Sequence, residues 1–234
     1  MIEWHSLAYL YTILRLCVRI GLILTSVMFC SAFFDYKDNI HPEPKSEEVA
    51  KEELSADEFI VVTASKLSSE AGEYIINKGG NAVDAAIASQ LVLNLVEPHS
   101  SGIGGGGFFI FYDAKSKKSF FYDGRETAPQ HYSPEVFLDK DGKPRDFFDV
   151  LDGGLTVGVP SLLKLLKVVH EKHGKLKWFE LFVPAIDLAE NGFEVSPRLE
   201  TLLEESKHIK NFDNTYEYFY DNIGEEKVRQ KIYN

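Results

Sequence analysis

Six consecutive residues, Gly102-Ile103-Gly104-Gly105-Gly106-Gly107, constrain this chain more than any other stretch. They stand between an alanine-rich apolar segment that stops at Glu97-Pro98 and an aromatic run that begins at Phe108. Glycine lacks a Cβ, so such a run permits sharp backbone turns and the close approach of neighbouring chain or ligand. Gly102-x-Gly104-x-x-Gly107 also satisfies the G-x-G-x-x-G pattern of dinucleotide sites. Those sites need a strand before the glycines and a helix after them, so that pyrophosphate meets a helix N-terminus. Here the order is reversed, and no Lys-Ser/Thr pair closes the run as in a phosphate-binding loop. The loop therefore reads as a tight helix-to-strand crossing through the core that helps to shape a cavity.

The flanks supply the elements that the loop joins. Val83, Ile87, Leu91 and Leu95 recur every four residues, and Ala82, Ala85, Ala86 and Ala88 fill the other faces, which predicts a buried helix. Asn81 is its N-cap, with Asp84 at the third helical position. Upstream, Phe59–Thr63 reads as a strand, and Ser68 or Ser69 caps a helix that Gly79-Gly80 ends. Downstream, Phe108–Tyr112 and Ser119–Asp123 form a β-hairpin around a polar turn. Pro160 opens a helix to His173 with Leu162, Leu163, Leu165, Leu166 and Val169 inward, and further helices fit Phe179–Glu190 and, behind a Ser196 cap, Pro197–Ser206. Residues 211–220 are acidic and aromatic without a clear period, and no final element is legible before Asn234. Helices, a hairpin, then more helices predict an α+β arrangement.

The ends and the charge bear on location and partners. Ile20–Phe34 carries no charge and follows Arg15 and Arg19, the order of an export signal, with Cys30-Ser31-Ala32 as small residues at a cleavage site. Residues 1–34 are thus expected to be a signal peptide or a membrane anchor, residues 35–58 a polar acidic linker, and residues 59–234 the folded domain, exported to the periplasm or the extracellular space. The net charge of -11 repels phosphate backbones, and no basic stripe gathers, so no nucleic-acid partner is expected. Cys17 and Cys30 both lie in the N-terminal segment, leaving the remainder without a disulfide framework. His170-x-x-His173 lacks the HExxH spacing and reads as the polar end of an amphipathic helix, so no metal is expected.

Arg125 follows the second strand of the hairpin, in Asp123-Gly124-Arg125-Glu126-Thr127-Ala128-Pro129. A guanidinium at a strand end suits a carboxylate, which it grips with two parallel hydrogen bonds. An internal ion pair with Asp123 or Glu126 satisfies the same residues equally well.

Five blocks in order resemble one family. They are Gly79-Gly80-Asn81-Ala82-Val83-Asp84-Ala85-Ala86, Glu97-Pro98-His99-Ser100-Ser101 with the glycine loop and Phe108, the segment Asp123–Pro129, Val157-Gly158-Val159-Pro160, and Pro184–Ser196. Together they resemble the large subunit of γ-glutamyltranspeptidases over about residues 60–205. The resemblance implies part of a four-layer αββα sandwich of the N-terminal-nucleophile hydrolase type, incomplete without a small subunit. It implies cleavage of the γ-glutamyl bond of glutathione and related compounds, with transfer to an amino acid, a peptide or water and without a cofactor. In such enzymes a precursor cuts itself, and the new N-terminal threonine is both nucleophile and, through its α-amine, base. Arg125 matches the family arginine that pairs with the α-carboxylate of the γ-glutamyl group.

The departures matter as much. None of the threonines is followed by threonine or histidine, as the family's processing motif requires. No catalytic residue is therefore assigned, and the chain is expected to be a truncated large subunit, inactive unless another chain supplies the small subunit. The alternative is a non-catalytic remnant or exported binding module on the same scaffold. Ser161 stands where the family usually has glycine, and Lys177 where proline usually precedes Trp178.

Overall fold

Two helices joined by a glycine hinge open the computed structural model, which describes residues 53–151, 153–220 and 231–232. α1 spans Lys66–Asn77 and α2 spans Ala82–Val96. Gly79 adopts a φ of 95°, a left-handed conformation that favours glycine, and the N–H groups of Gly79 and Gly80 donate to Ile76 O and Ile75 O at 2.9 Å. Asn81 then caps α2 as expected. Its Oδ1 accepts from Val83 and Asp84 N–H at 3.0 Å, while Asp84 Oδ2 accepts from Asn81 N–H at 3.1 Å.

The helices touch along small residues. Ser68 Oγ donates to Ser89 O at 2.8 Å and Ser89 Oγ donates to Ser68 O at 2.9 Å, while a Cβ on Gly72 would lie 2.6 Å from Ser89 Oγ. This corrects the expected cap, because α1 starts behind Ser65 and the buried Ser68 spends its hydroxyl on the neighbouring helix. The expected strand at Phe59–Thr63 also fails. Ile60 and Val62 alternate outward as in a strand, but the segment pairs with no strand among the described residues.

α2 is buried nearly all round, with Val83, Ile87, Ala88 and Val92 in two adjoining apolar clusters. It stops at Glu97, whose carboxylate is buried and cannot be left unpaired. Glu97 Oε1 accepts from Ser196 Oγ at 3.2 Å, and Oε2 lies 3.4 Å from Arg198 Nη1 and 3.0 Å from His99 Nε2. A four-residue helix, α3 (Pro98–Ser101), leads into the glycine loop.

The hairpin forms as β1 (Gly107–Asp113) and β2 (Lys118–Gly124), antiparallel, with Gly107 opposite Gly124 and Phe111 opposite Phe120. Strand alternation splits its side chains. Phe109, Phe111 and Tyr122 pack on the core, whereas Phe108, Ile110, Tyr112 and Phe121 are 58%, 73%, 58% and 63% exposed. No described residue covers that second face.

A short α4 (Phe147–Leu151) precedes α5 (Leu162–His173), which lies across the inward face of the hairpin. α5 starts at Leu162 rather than Pro160 because Ser161, with φ of -137°, is its non-helical N-cap; the N–H groups of Ser161 and Leu162 donate to Gly105 O at 3.2 and 3.0 Å. Leu162, Leu165, Leu166 and Val169 are buried as expected, but Leu163 points outward. His170 and His173 do not form a polar end. His173 lies 4.8 Å from the rings of both Phe111 and Phe120 and is 2.7 Å from Tyr122 Oη, and His170 packs on Trp178 at 5.2 Å.

The remaining elements are α6 (Val183–Asn191), β3 (Phe193–Glu194), α7 (Pro197–Glu205), α8 (Asp213–Phe219) and β4 (Lys231–Ile232). Ser196 Oγ caps α7 by accepting Leu199 N–H at 3.1 Å. α6 is shorter than expected because Trp178–Phe182 turns as a 3-10 helix before it. α8 and the pairing of β4 with β3 were not legible in the sequence.

The expected signal or anchor at residues 1–34 lies outside the described residues, as does the linker up to residue 52. Residues 53–58 are exposed, and among the described residues no helix is long and apolar enough to cross a membrane.

Candidate binding site

Three backbone segments meet at the end of β2. A Cβ on Gly106 would lie 2.8 Å from Glu126 N and closer still to Gly124 O, and one on Gly158 would lie 2.8 Å from Glu126 Cβ. Gly124 itself is pressed onto α5, 2.6 Å from Leu165 Cβ by the same construction. Val159 N–H donates to Thr127 O at 2.9 Å, and Ser161 Oγ donates to Gly124 O. At Gly106 the glycine run is thus a backbone crossing, packed against the main chain of Gly124 and Glu126 on either side of Arg125.

Arg125 is anchored through its main chain, whose N–H donates to Asp123 Oδ1 at 3.0 Å. Its side chain is 59% exposed, with Nη1 3.3 Å from Glu126 Oε2. That oxygen is buried yet makes no hydrogen bond, so proximity here comes without the alignment of a paired salt bridge. Both internal partners considered from the sequence are therefore present, Asp123 on the backbone and Glu126 beside the guanidinium. Among the described residues, none forms a hydrogen bond with the guanidinium N–H groups.

Arg125 opens onto a cleft of about 540 Å³ shared with Gly104, Tyr132, Phe137, Leu155 and Val157. The volume lies within the ~300–1,000 Å³ range of small-molecule sites. Tyr132 Oη donates to Leu155 O, and the Tyr132 and Phe137 rings meet edge to face at 5.9 Å. Tyr132, Phe137 and Leu155 were missed from the sequence, since they lie in connections without a hydrophobic period, whereas Val157 fell within the Val157–Pro160 block. A second cavity of about 350 Å³, between α1 and α6, holds Glu70 and Asp187 but no basic group.

Chemically, the first cleft can hold an anion through two or more guanidinium N–H groups beside an apolar wall. The Tyr132 and Thr156 hydroxyls of the cleft both donate to main-chain carbonyls, of Leu155 and Leu151.

Comparison with known proteins identifies the family and the fold. Residues 68–233 match the family described as Gamma-glutamyltranspeptidase. The chain is 41% identical over 172 residues to the glutathione hydrolase proenzyme of Bacillus subtilis, covering 74% of this chain and 29% of that protein. It superposes on the Helicobacter pylori gamma-glutamyltranspeptidase with a TM-score of 0.72 and 31% identity, over 78% of this chain and 52% of that one. The Bacillus anthracis transpeptidase CapD aligns with a TM-score of 0.61 and 30% identity, over 76% and 55% of the two chains. The chain thus spans less than a third of the curated relative's length. Its α+β fold is part of the N-terminal-nucleophile hydrolase architecture, and the chain belongs to the γ-glutamyltranspeptidase family.

Proposed function

We propose that this chain supplies the substrate-holding part of a γ-glutamyltransferase or glutathione hydrolase, acting on glutathione and related γ-glutamyl compounds. In this reading Arg125 grips the α-carboxylate of the γ-glutamyl group. The carrying observation is its exposed guanidinium, fixed through the backbone at a glycine-packed strand end and facing a cleft. The chemistry comes from a small subunit whose N-terminal threonine hydroxyl attacks the γ-carbonyl, its proton passing through the threonine α-amine to the amine that leaves as the γ-glutamyl C–N bond breaks; the resulting γ-glutamyl ester then passes the group to an amino acid, a peptide or water.

Two further observations support the need for that second part. No threonine in the sequence precedes another threonine or a histidine. The outer face of the hairpin, with Phe108, Ile110, Tyr112 and Phe121, is an apolar sheet surface of the kind that packs against another sheet. We place the folded part outside the cytoplasm, behind the signal or anchor of residues 1–34.

The test is release of p-nitroaniline from γ-glutamyl-p-nitroanilide. The purified chain alone is expected to release none, and turnover by it would overturn the dependence on a second part. With a family small subunit co-expressed, Arg125→Ala is expected to raise KM at least tenfold. An unchanged KM would assign Arg125 to the structure alone.

A further inference from the structure

The cleft beside Arg125 is larger than a carboxylate needs, and its composition is uneven. One end is the guanidinium, held next to Glu126 without an aligned hydrogen bond. The other is an apolar wall of Tyr132, Phe137, Leu155 and Val157. The wall is built, because Tyr132 ties its own loop to Leu155 through its hydroxyl and braces Phe137 by an edge-to-face contact. With the Tyr132 hydroxyl spent on a carbonyl, the ring offers its apolar body to the cleft. Val157 stands 56% exposed, apolar area that a ligand would cover.

We propose that this cleft binds a carboxylate carried next to an apolar side chain, as in an aromatic or branched-chain amino acid or the C-terminal residue of a peptide. Arg125 takes the carboxylate, and Tyr132, Phe137, Leu155 and Val157 take the side chain. The proposal rests on the reading of Arg125 as a carboxylate site and extends it to a preference among ligands. One guanidinium cannot hold two carboxylates in the same fork geometry, so such compounds compete with γ-glutamyl donors for Arg125.

The full chain can be tested by calorimetric titration with N-acetyl-L-phenylalanine, N-acetylglycine and γ-L-glutamylglycine. N-acetyl-L-phenylalanine is expected to bind on the order of tenfold more tightly than N-acetylglycine, the gain from burying a ring. It should also displace γ-L-glutamylglycine. Val157→Ser, at an exposed position and without a new charge beside Arg125, should weaken N-acetyl-L-phenylalanine more than N-acetylglycine and so narrow the preference for the aromatic ligand. Equal affinities for the two N-acetyl ligands, or a preference undiminished in Val157→Ser, would overturn the apolar subsite. If Arg125→Ala abolishes N-acetyl-L-phenylalanine binding but leaves γ-L-glutamylglycine untouched, the subsite stands and the γ-glutamyl reading falls. The reverse pattern retains the γ-glutamyl reading and discards the subsite.

Discussion

The carboxylate of Asp84 accepts the backbone N–H of Lys175 with both oxygens, at 3.1 and 3.0 Å, across 91 residues of sequence. The same group takes Leu176 N–H at 3.1 Å and caps α2 through Asn81 N–H at 3.1 Å. Asp84 is wholly buried, and every donor named here is a main-chain amide. A charged acceptor shared by several amides is worth more than neutral hydrogen bonds, and its loss strands buried donors. Asp84→Asn keeps the shape but turns one acceptor oxygen into a donor facing N–H groups. It should cost about 2–4 kcal/mol, read as a lower urea midpoint at unchanged slope.

The glycines of the loop differ in what they tolerate. Gly106 leaves no room for a methyl, since its neighbours are the main chain of Gly124 and Glu126, which cannot swing aside as a side chain could. Gly106→Ala is expected to destabilise the chain by about 2–4 kcal/mol through backbone displacement. Gly104 has nothing within 4 Å of an added Cβ, and Gly104→Ala should fall within about 0.5 kcal/mol of the parent. Thermal midpoints of the two variants decide whether the run is glycine for packing at each position or only where main chains cross.

Acid should weaken the turn that precedes α6. Hydrogen bonding from Lys177 N–H, then from Lys78, holds the Glu180 carboxyl below its ordinary value. A depressed carboxyl contributes stability that is present above the unfolded-state value of 4.5 and is lost as pH falls through the lower folded-state value. Glu180→Gln should therefore lower the urea midpoint at neutral pH slightly and make its decline below about pH 4.5 shallower. Parallel acid limbs for the two proteins would remove Glu180 from this role.

Local signals in the sequence located the α2 cap, the glycine end of α1, the hairpin and the Ser196 cap, because each depends on residues within a few positions of one another. What escaped depends on partners far along the chain. Ser68 looked like a cap and instead bonds Ser89, and His173 looked like a polar helix end and instead sits between Phe111 and Phe120. Phe59–Thr63 has the β-branched composition of a strand, but a strand also needs an edge to pair with, which local composition cannot supply. For the site, Arg125 was legible as a charged residue at a strand end. Tyr132 and Leu155 were not, since a hydroxyl reaching a carbonyl 23 residues away leaves no local pattern.

The bare face of the hairpin gives the last expectation. Ile110 lies at its centre and is 73% exposed, with Phe108 and Phe121 stacked beside it at 5.7 Å. Ile110→Asp puts a charge on that face without touching the core side of β1, where Phe109 and Phe111 pack. In the chain alone the change removes exposed apolar area and breaks a patch prone to self-association, so a sizing column should show more monomer. In the complex with a small subunit the same carboxylate would be buried without a partner, and assembly should fail with loss of turnover. The two readouts move in opposite directions only if the face is an interface. An Ile110→Asp variant that assembles and turns over like the parent would show that the second sheet packs elsewhere.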